Sequence, residues 1–365
     1  MPAAFPARRL AREDLHGLVV RWAGAREVVA PVREGNEVHW RPVTDAAQVD
    51  WDYASTMLPP SKVLYKPLVD VARFTRAGDA VATGAVEPDA RPSLLLAVHP
   101  CDLHGILVLD RTVKGRRFVD PSYAAWRAQT LIVGLNCRHV GELCFCASFG
   151  TGPFYSRWMD QGPSDGCDLL LTELEGDCLV EVMSRPGEEL LAGTRMTEAS
   201  ETDYAERDRL EESARSRFKK KLEIGGLPEL LLRNLEHPVW ERVGEGRCLS
   251  CTNCTMVCPT CYCYDLQDRS SLDLRETVRA RRWDSCQDRN FAAVHFGNFR
   301  ATRKARLRQF VCHKLSYWVG QHGCFGCVGC GRCIRLCPTG IDLAEIAGEI
   351  RRTEKAEDLK GKAEG

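Results

Sequence analysis

The sequence predicts an α+β chain in three parts: an amino-terminal α/β domain on a mainly parallel sheet, a helical bridge, and a cysteine-rich carboxyl-terminal domain. Three observations predict it. Apolar runs of strand length alternate with helical stretches through residues 1–200. A charged stretch with few helix breakers follows at 201–246. Eight of the 19 cysteines then fall in two copies of one short spacing.

The elements follow in chain order. Arg26–Val32 and Glu37–Val43 alternate apolar and polar residues around Glu34-Gly35-Asn36, a hairpin signal. Ser93–Val98 is a continuous apolar run that ends at His99-Pro100-Cys101-Asp102 and leads into a helix-like Leu103–Leu109. Asp102 sits where it can cap that helix. Thr130–Leu135 repeats the shape after a helical Ser122–Arg127, and ends at Asn136-Cys137. Asp168–Thr172 and Cys178–Ser184 read as further strands, the second followed by a Pro-Gly-Glu-Glu helix start. Ala205–Leu222 is charged and helical, Pro228–Leu235 is apolar, and Val243-Gly244-Glu245-Gly246 closes the bridge. The rest divides into 247–350, with a helical insertion at 264–322, and a charged tail at 351–365 expected to fray.

Composition narrows the function. Fifty basic residues balance 50 acidic ones, so no global charge argues for nucleic acid or a membrane surface. The longest apolar runs, such as Leu94–Val98 and Leu131–Leu135, are too short to span a bilayer. The amino terminus lacks an apolar signal core, which leads us to expect a cytoplasmic protein. In that compartment so many cysteines point to metal or redox chemistry before disulfides.

The decisive pattern is C-x2-C-x2-C-x3-C-P, found at Cys248, Cys251, Cys254 and Cys258-Pro259 and again at Cys327, Cys330, Cys333 and Cys337-Pro338. It is the ligand spacing of a bacterial-ferredoxin-like domain holding two [4Fe–4S] clusters, in which each fourth cysteine ligates the other cluster. The expected sets are therefore Cys248, Cys251, Cys254 and Cys337 for one cluster, and Cys258, Cys327, Cys330 and Cys333 for its partner. Zinc sites more often use two well-separated C-x2-C pairs.

A further constellation lies in the α/β domain. Cys101 and Cys137 each follow a predicted parallel strand, and carboxyl ends of neighbouring strands face one crevice. Cys144 and Cys146 follow on the next loop. Four thiolates suffice for a third [4Fe–4S] cluster. A zinc site, a reactive thiol pair and plain buried cysteines are the other readings of the same residues. His99, His104 and His139 lie close in sequence and read as hydrogen-bonded rather than ligating. Cys261, Cys263 and Cys324 read as packing around the clusters, and Cys286 offers another thiol near the cluster domain. Gly150-Thr151-Gly152-Pro153 reads as a tight turn, not a phosphate loop. The arginines between Asp265 and Lys314 read as a solvated helical face or, more pointedly, a docking patch for an acidic redox partner.

Several stretches, in order, resemble the iron–sulfur beta subunits of cytoplasmic sulfhydrogenases and, similarly, the corresponding iron–sulfur component of anaerobic sulfite reductase. They include HPCDLHGI at His99–Ile106, CFCASFGTGP at Cys144–Pro153, CLSCTNCTMVCPTCYC at Cys248–Cys263, WDSC at Trp283–Cys286 and CVGCGRCIRLCPTGID at Cys327–Asp342. The resemblance implies a non-catalytic electron-relay subunit. Its expected neighbours are a flavin subunit that handles NAD(P)H and a catalytic subunit, either a nickel–iron hydrogenase or a sulfite reductase. Two competing readings remain: an enzyme with its own substrate or flavin site at the amino-terminal cysteines, and a cysteine-rich nucleic-acid module.

Overall fold

A computed structural model describes residues 7–115, 118–156 and 166–363, with side chains to residue 356. An eight-stranded sheet forms the amino-terminal half. Its order is Thr197–Glu198, Arg8–Ala11, Asp177–Val182, Leu169–Glu173, Thr130–Leu135, Ser93–Val98, Glu27–Glu34, Glu37–Val43. The four strands from Leu169–Glu173 to Glu27–Glu34 are mutually parallel, as expected. The margins are antiparallel, including the expected hairpin of Glu27–Glu34 with Glu37–Val43. The parallel strands are buried on both faces, which is why they read as unbroken apolar runs.

Two helices show how the layers form. Arg12–Ala25 buries Leu15, Leu18, Val19 and Trp22 at helical spacing against one face. Pro100–Val113 buries Leu103, Ile106 and Leu109 against the other, each fully enclosed and worth roughly 1.5–3 kcal/mol. Pro100 occupies the first turn, where a missing amide costs nothing. The expected capping role of Asp102 is not seen: its carboxylate binds Arg332 instead.

Two expectations need correction. Residues 264–322 are not wholly helical, because Tyr264–Ser270 and Glu276–Trp283 form an antiparallel hairpin. That hairpin pairs with Leu68–Ala77, and Ala80–Ala85 completes a four-stranded sheet. Alternating arginines and acids, such as Arg279 with Asp268 at 2.8 Å, lie across this exposed sheet instead of along a helix. The tail, expected to fray, belongs to one helix over Leu343–Ala363.

Helices surround the cysteine motifs. Glu201–Ser216 opens on a Ser200–Asp203 capping box, and Leu227–Arg233 and Val239–Gly244 follow. Arg303–Cys312 continues through a π-helical turn, His313–Tyr317, into Trp318–His322. Leu227, Leu231, Trp240, Phe310, Leu315 and Ile350 share one core, which also receives Phe145 and Phe149 from the amino-terminal half. Among the described residues no helix is long and apolar enough to cross a membrane.

Candidate iron–sulfur sites

The two cysteine motifs are built alike. Each wraps its first three cysteines around backbone held in the left-handed region at matching places, Ser250 and Thr252 in the first and Gly329 and Gly331 in the second. Each then makes a four-residue helix, Asn253–Met256 or Arg332–Arg335, before its fourth cysteine. The curled loops aim amides inward at sulfur: Ser250 N–H donates to Cys248 Sγ and Gly329 N–H to Cys327 Sγ, both at 3.4 Å. Ile341 N–H donates to Cys337 Sγ at 3.3 Å.

Glycine appears in only one motif for a steric reason. A Cβ on Gly329 would stand 2.6 Å from the Cys146 backbone, and one on Gly331 would stand 2.5 Å from Leu143 O. The amino-terminal cysteine loop is pressed onto the second motif. Phe145 N–H donates to Gly329 O at 2.8 Å, and Thr151 Oγ1 donates to Val328 O at 2.7 Å. The first motif is met instead by side chains of the 303–312 helix, with Arg303 donating to Cys248 O at 3.0 Å and Arg306 to Ser250 Oγ at 3.1 Å, and Cys251 is exposed.

The fold crosses the motifs over. Cys337 joins Cys248, Cys251 and Cys254 around one cavity, whose walls include Leu307, Phe310 and Gln287. Cys258 joins Cys327, Cys330 and Cys333 around a second, walled by Phe145 and Lys314. Cys333 borders both cavities. Among the described residues no group of three or more His, Cys, Asp or Glu side chains would hold a metal ion. Each set of four thiols lines a common cavity, the arrangement a cube of several metals requires.

Two observations test the fit of such a group. Burial pushes the Cys330 thiol up to about 11, and it raises Cys254, Cys327 and Cys333 as well. Buried thiols of this kind gain most from a cationic metal centre that takes them as thiolates. Gln287 is 1% exposed, lines the first cavity and has no hydrogen-bond partner at either end of its amide. A buried amide left so costs about 1–3 kcal/mol per group, and cluster sulfur is an acceptor for its N–H. The residues fit.

The four amino-terminal cysteines also come together. Ala97 takes a left-handed conformation, φ 61°, at a register shift that ends the Ser93–Val98 strand beside the Cys101 turn. Cys137 N–H donates to Pro153 O at 3.1 Å, which folds the Cys144–Cys146 loop back over the strand ends. Burial raises all four thiols, Cys137 to about 12. Cys144 adds to the rise at Cys137, Cys146 to that at Cys101, and Cys330 to that at Cys146. This cluster therefore borders the second motif directly.

One buried ion pair ties the regions. Arg332, between Cys330 and Cys333, binds both Asp102 oxygens at 2.7 and 2.6 Å, and both side chains are 1% exposed. Its remaining donors reach Thr56 O at 3.0 Å and Thr56 Oγ1 at 2.9 Å. The histidines are held as expected, by contacts within the protein: His99 stacks on Tyr53 at 3.9 Å, His139 pairs with Asp52, and His104 stacks on Tyr155.

Sequence reasoning misses Lys62 and Lys314, both buried, whose ammonium groups reach Cys261 O at 2.8 Å and Thr260 Oγ1 at 2.7 Å. Cys261 hydrogen-bonds to Cys258, and Cys263 to Cys286. The signal for Lys314 is its place in His313-Lys314-Leu315-Ser316-Tyr317-Trp318, where charge interrupts an otherwise apolar stretch.

These features define an iron–sulfur electron-transfer protein, and residues 247–341 match the family model of the 4Fe-4S dicluster domain, which implies two [4Fe–4S] clusters. Sulfhydrogenase 2 subunit beta of Pyrococcus furiosus is 35% identical over 328 residues, covering 89% of this chain and 92% of that protein. The chain belongs to the sulfhydrogenase beta-subunit family. No solved structure matches it.

Proposed function

We propose that this chain is the electron-relay subunit of a cytoplasmic oxidoreductase complex, without substrate chemistry of its own. Cys248, Cys251, Cys254 and Cys337 hold one [4Fe–4S] cluster, and Cys258, Cys327, Cys330 and Cys333 hold the other. Cys101, Cys137, Cys144 and Cys146 hold a third. When bound, such clusters would supply one-electron storage. The chain's own residues bury the thiols, exclude water with Leu307, Phe310 and Phe145, and direct the amides of Ser250, Gly329 and Ile341 at sulfur. Electrons pass between a flavin subunit that handles NAD(P)H and a catalytic subunit with a nickel–iron or sirohaem centre.

The observation that carries this reading is continuity. The first cavity shares Cys333 with the second, and the second shares Cys330 with the surroundings of Cys146. Three thiol-rich sites thus run from exposed Cys251 to the strand ends of the α/β domain. The test is iron and acid-labile sulfide after anaerobic purification. About twelve irons per chain are expected, falling to about eight in Cys137→Ala. Unchanged iron in that variant sinks the third site, and well under eight irons in the parent protein sinks the reading as a whole.

A further inference from the structure

The repeat of one ligand motif suggests two equivalent sites, and the backbone around them is nearly equivalent. Their surroundings are not. Lys314 is 3% exposed and lines the cavity of Cys258, Cys327, Cys330 and Cys333. It sits in the π-helical turn His313–Tyr317, a local widening of the kind that often marks functional positions. Its ammonium donates to Thr260 Oγ1 at 2.7 Å and lies 4.5 Å from the Trp318 ring centre. The Thr260 hydroxyl stands 3.2 Å from Cys258 Sγ. The sulfurs of Cys258, Cys261 and Cys263 surround Lys314, and among the described residues no carboxylate pairs with it. Lys62 adds a second buried ammonium on the same side, bound to Cys261 O.

Burying an ammonium without an anion is costly, so its counter-charge belongs in the cavity it faces. A cluster held by four thiolates supplies it, and becomes more negative on reduction. The other cavity has no lysine or arginine in its wall; its buried polar group is the neutral amide of Gln287. Arg303 lies nearby but is partly exposed and paired with Glu245. Arg306 turns its charge to the carbonyls of Arg300 and Ala301 and to Ser250 Oγ. Arg332, beside the lysine-lined cavity, is neutralised by Asp102. Water at exposed Cys251 favours reduction of the first site, but a fixed charge in a dry wall acts through a lower dielectric.

We propose that Lys314 makes the two sites unequal, raising the reduction potential of the cluster held by Cys258, Cys327, Cys330 and Cys333 above that of its partner, so that the first electron to enter the pair rests beside the amino-terminal cysteines. This rests on the assignment of the eight motif cysteines as ligands.

The experiment is a potentiometric titration of the whole anaerobic protein, followed by electron paramagnetic resonance, after iron and sulfide have been measured on each sample. Lys314→Met with full iron is expected to move the higher-potential step of the pair down by at least tenfold in its reduction equilibrium, about 59 mV for one electron. Lys314→Arg, which keeps the charge, retains most of the parent value. Gln287→Lys, made at the other cavity, raises the lower step and narrows the gap, and it stands as the test if Lys314→Met loses iron. A fully loaded Lys314→Met protein whose steps are unmoved, or in which only the lower step moves, overturns the proposal. So does an unchanged gap in loaded Gln287→Lys. Low iron in the parent protein is a different failure, that of the ligand assignment.

Discussion

Replacing Asp102 by leucine strips the Arg332 guanidinium of its carboxylate partner. Arg332 makes four hydrogen bonds, two to Asp102 at 2.7 and 2.6 Å and two to Thr56 at 3.0 and 2.9 Å. Both members of the ion pair are 1% exposed, so no water replaces the lost carboxylate. Breaking a buried pair by removing one member costs about 3–5 kcal/mol, because the other charge stays desolvated. The two Thr56 bonds survive in Asp102→Leu and keep the cost near the lower bound. The double variant Asp102→Leu/Arg332→Met buries two apolar side chains of similar bulk and is expected to recover most of the loss. The bidentate Arg41–Glu34 pair, by contrast, lies open to solvent, where screening leaves such a pair little influence on stability. The assay is anaerobic urea unfolding of the loaded protein by far-ultraviolet circular dichroism, with bleaching of the visible absorbance followed in parallel. A single variant within about 1 kcal/mol of the parent, or a double variant no better than the single, would refute the account of the pair as a mutual charge trap.

Two further outcomes follow from local geometry and burial. Gly329→Ala forces a left-handed alanine at φ 66° and drives its Cβ to 2.6 Å from the Cys146 backbone; a loss of at least about 2 kcal/mol is expected, with faster hydrogen exchange at Phe145 N–H. His104 is fully buried and its pKa is lowered to about 4, chiefly by burial. The unfolded chain takes up that proton near pH 6.5 while the native protein does not, so stability falls as pH drops from about 6.5 towards 4, by roughly 3 kcal/mol over the window. His104→Phe is expected to flatten that part of the curve in thermal melts from about pH 4.5 to 7, and an unchanged slope would exclude His104 as its source.

Local signals carry far in this chain. Ser93–Val98 and Thr130–Leu135 read as buried parallel strands because both faces of each are covered, and their bounds agree with the structure. The cysteine spacing picks out all eight motif thiols, and proximity to strand ends puts Cys101 and Cys137 in one neighbourhood with Cys144 and Cys146. What stays hidden is long-range. Leu68–Ala77 and Glu276–Trp283 alternate only briefly, at Val69-Asp70-Val71 and Val278-Arg279-Ala280-Arg281, and carry too many charges to stand out as strands. The arginines of the second hairpin suggest a helical face for the same reason. Asp102 resembles a helix cap because its true partner lies 230 residues away. Gln287 is invisible as a cavity wall, and the apolar neighbours of Lys314 mark it as buried without saying which cavity it faces.

The small sheet has a consequence for how the protein is made. Arg73 and Glu276, partners across it, are 203 residues apart in the chain. At about 5–20 residues per second, a ribosome needs roughly 10–40 s to deliver the second strand after the first. Through that interval Leu68–Ala77 offers an open edge to any passing strand, with only Ala80–Ala85 beside it. Ser61 and Lys62 likewise await the carbonyls of Pro259 and Cys261. Truncated or stalled chains would therefore expose an open strand edge that full-length chains conceal.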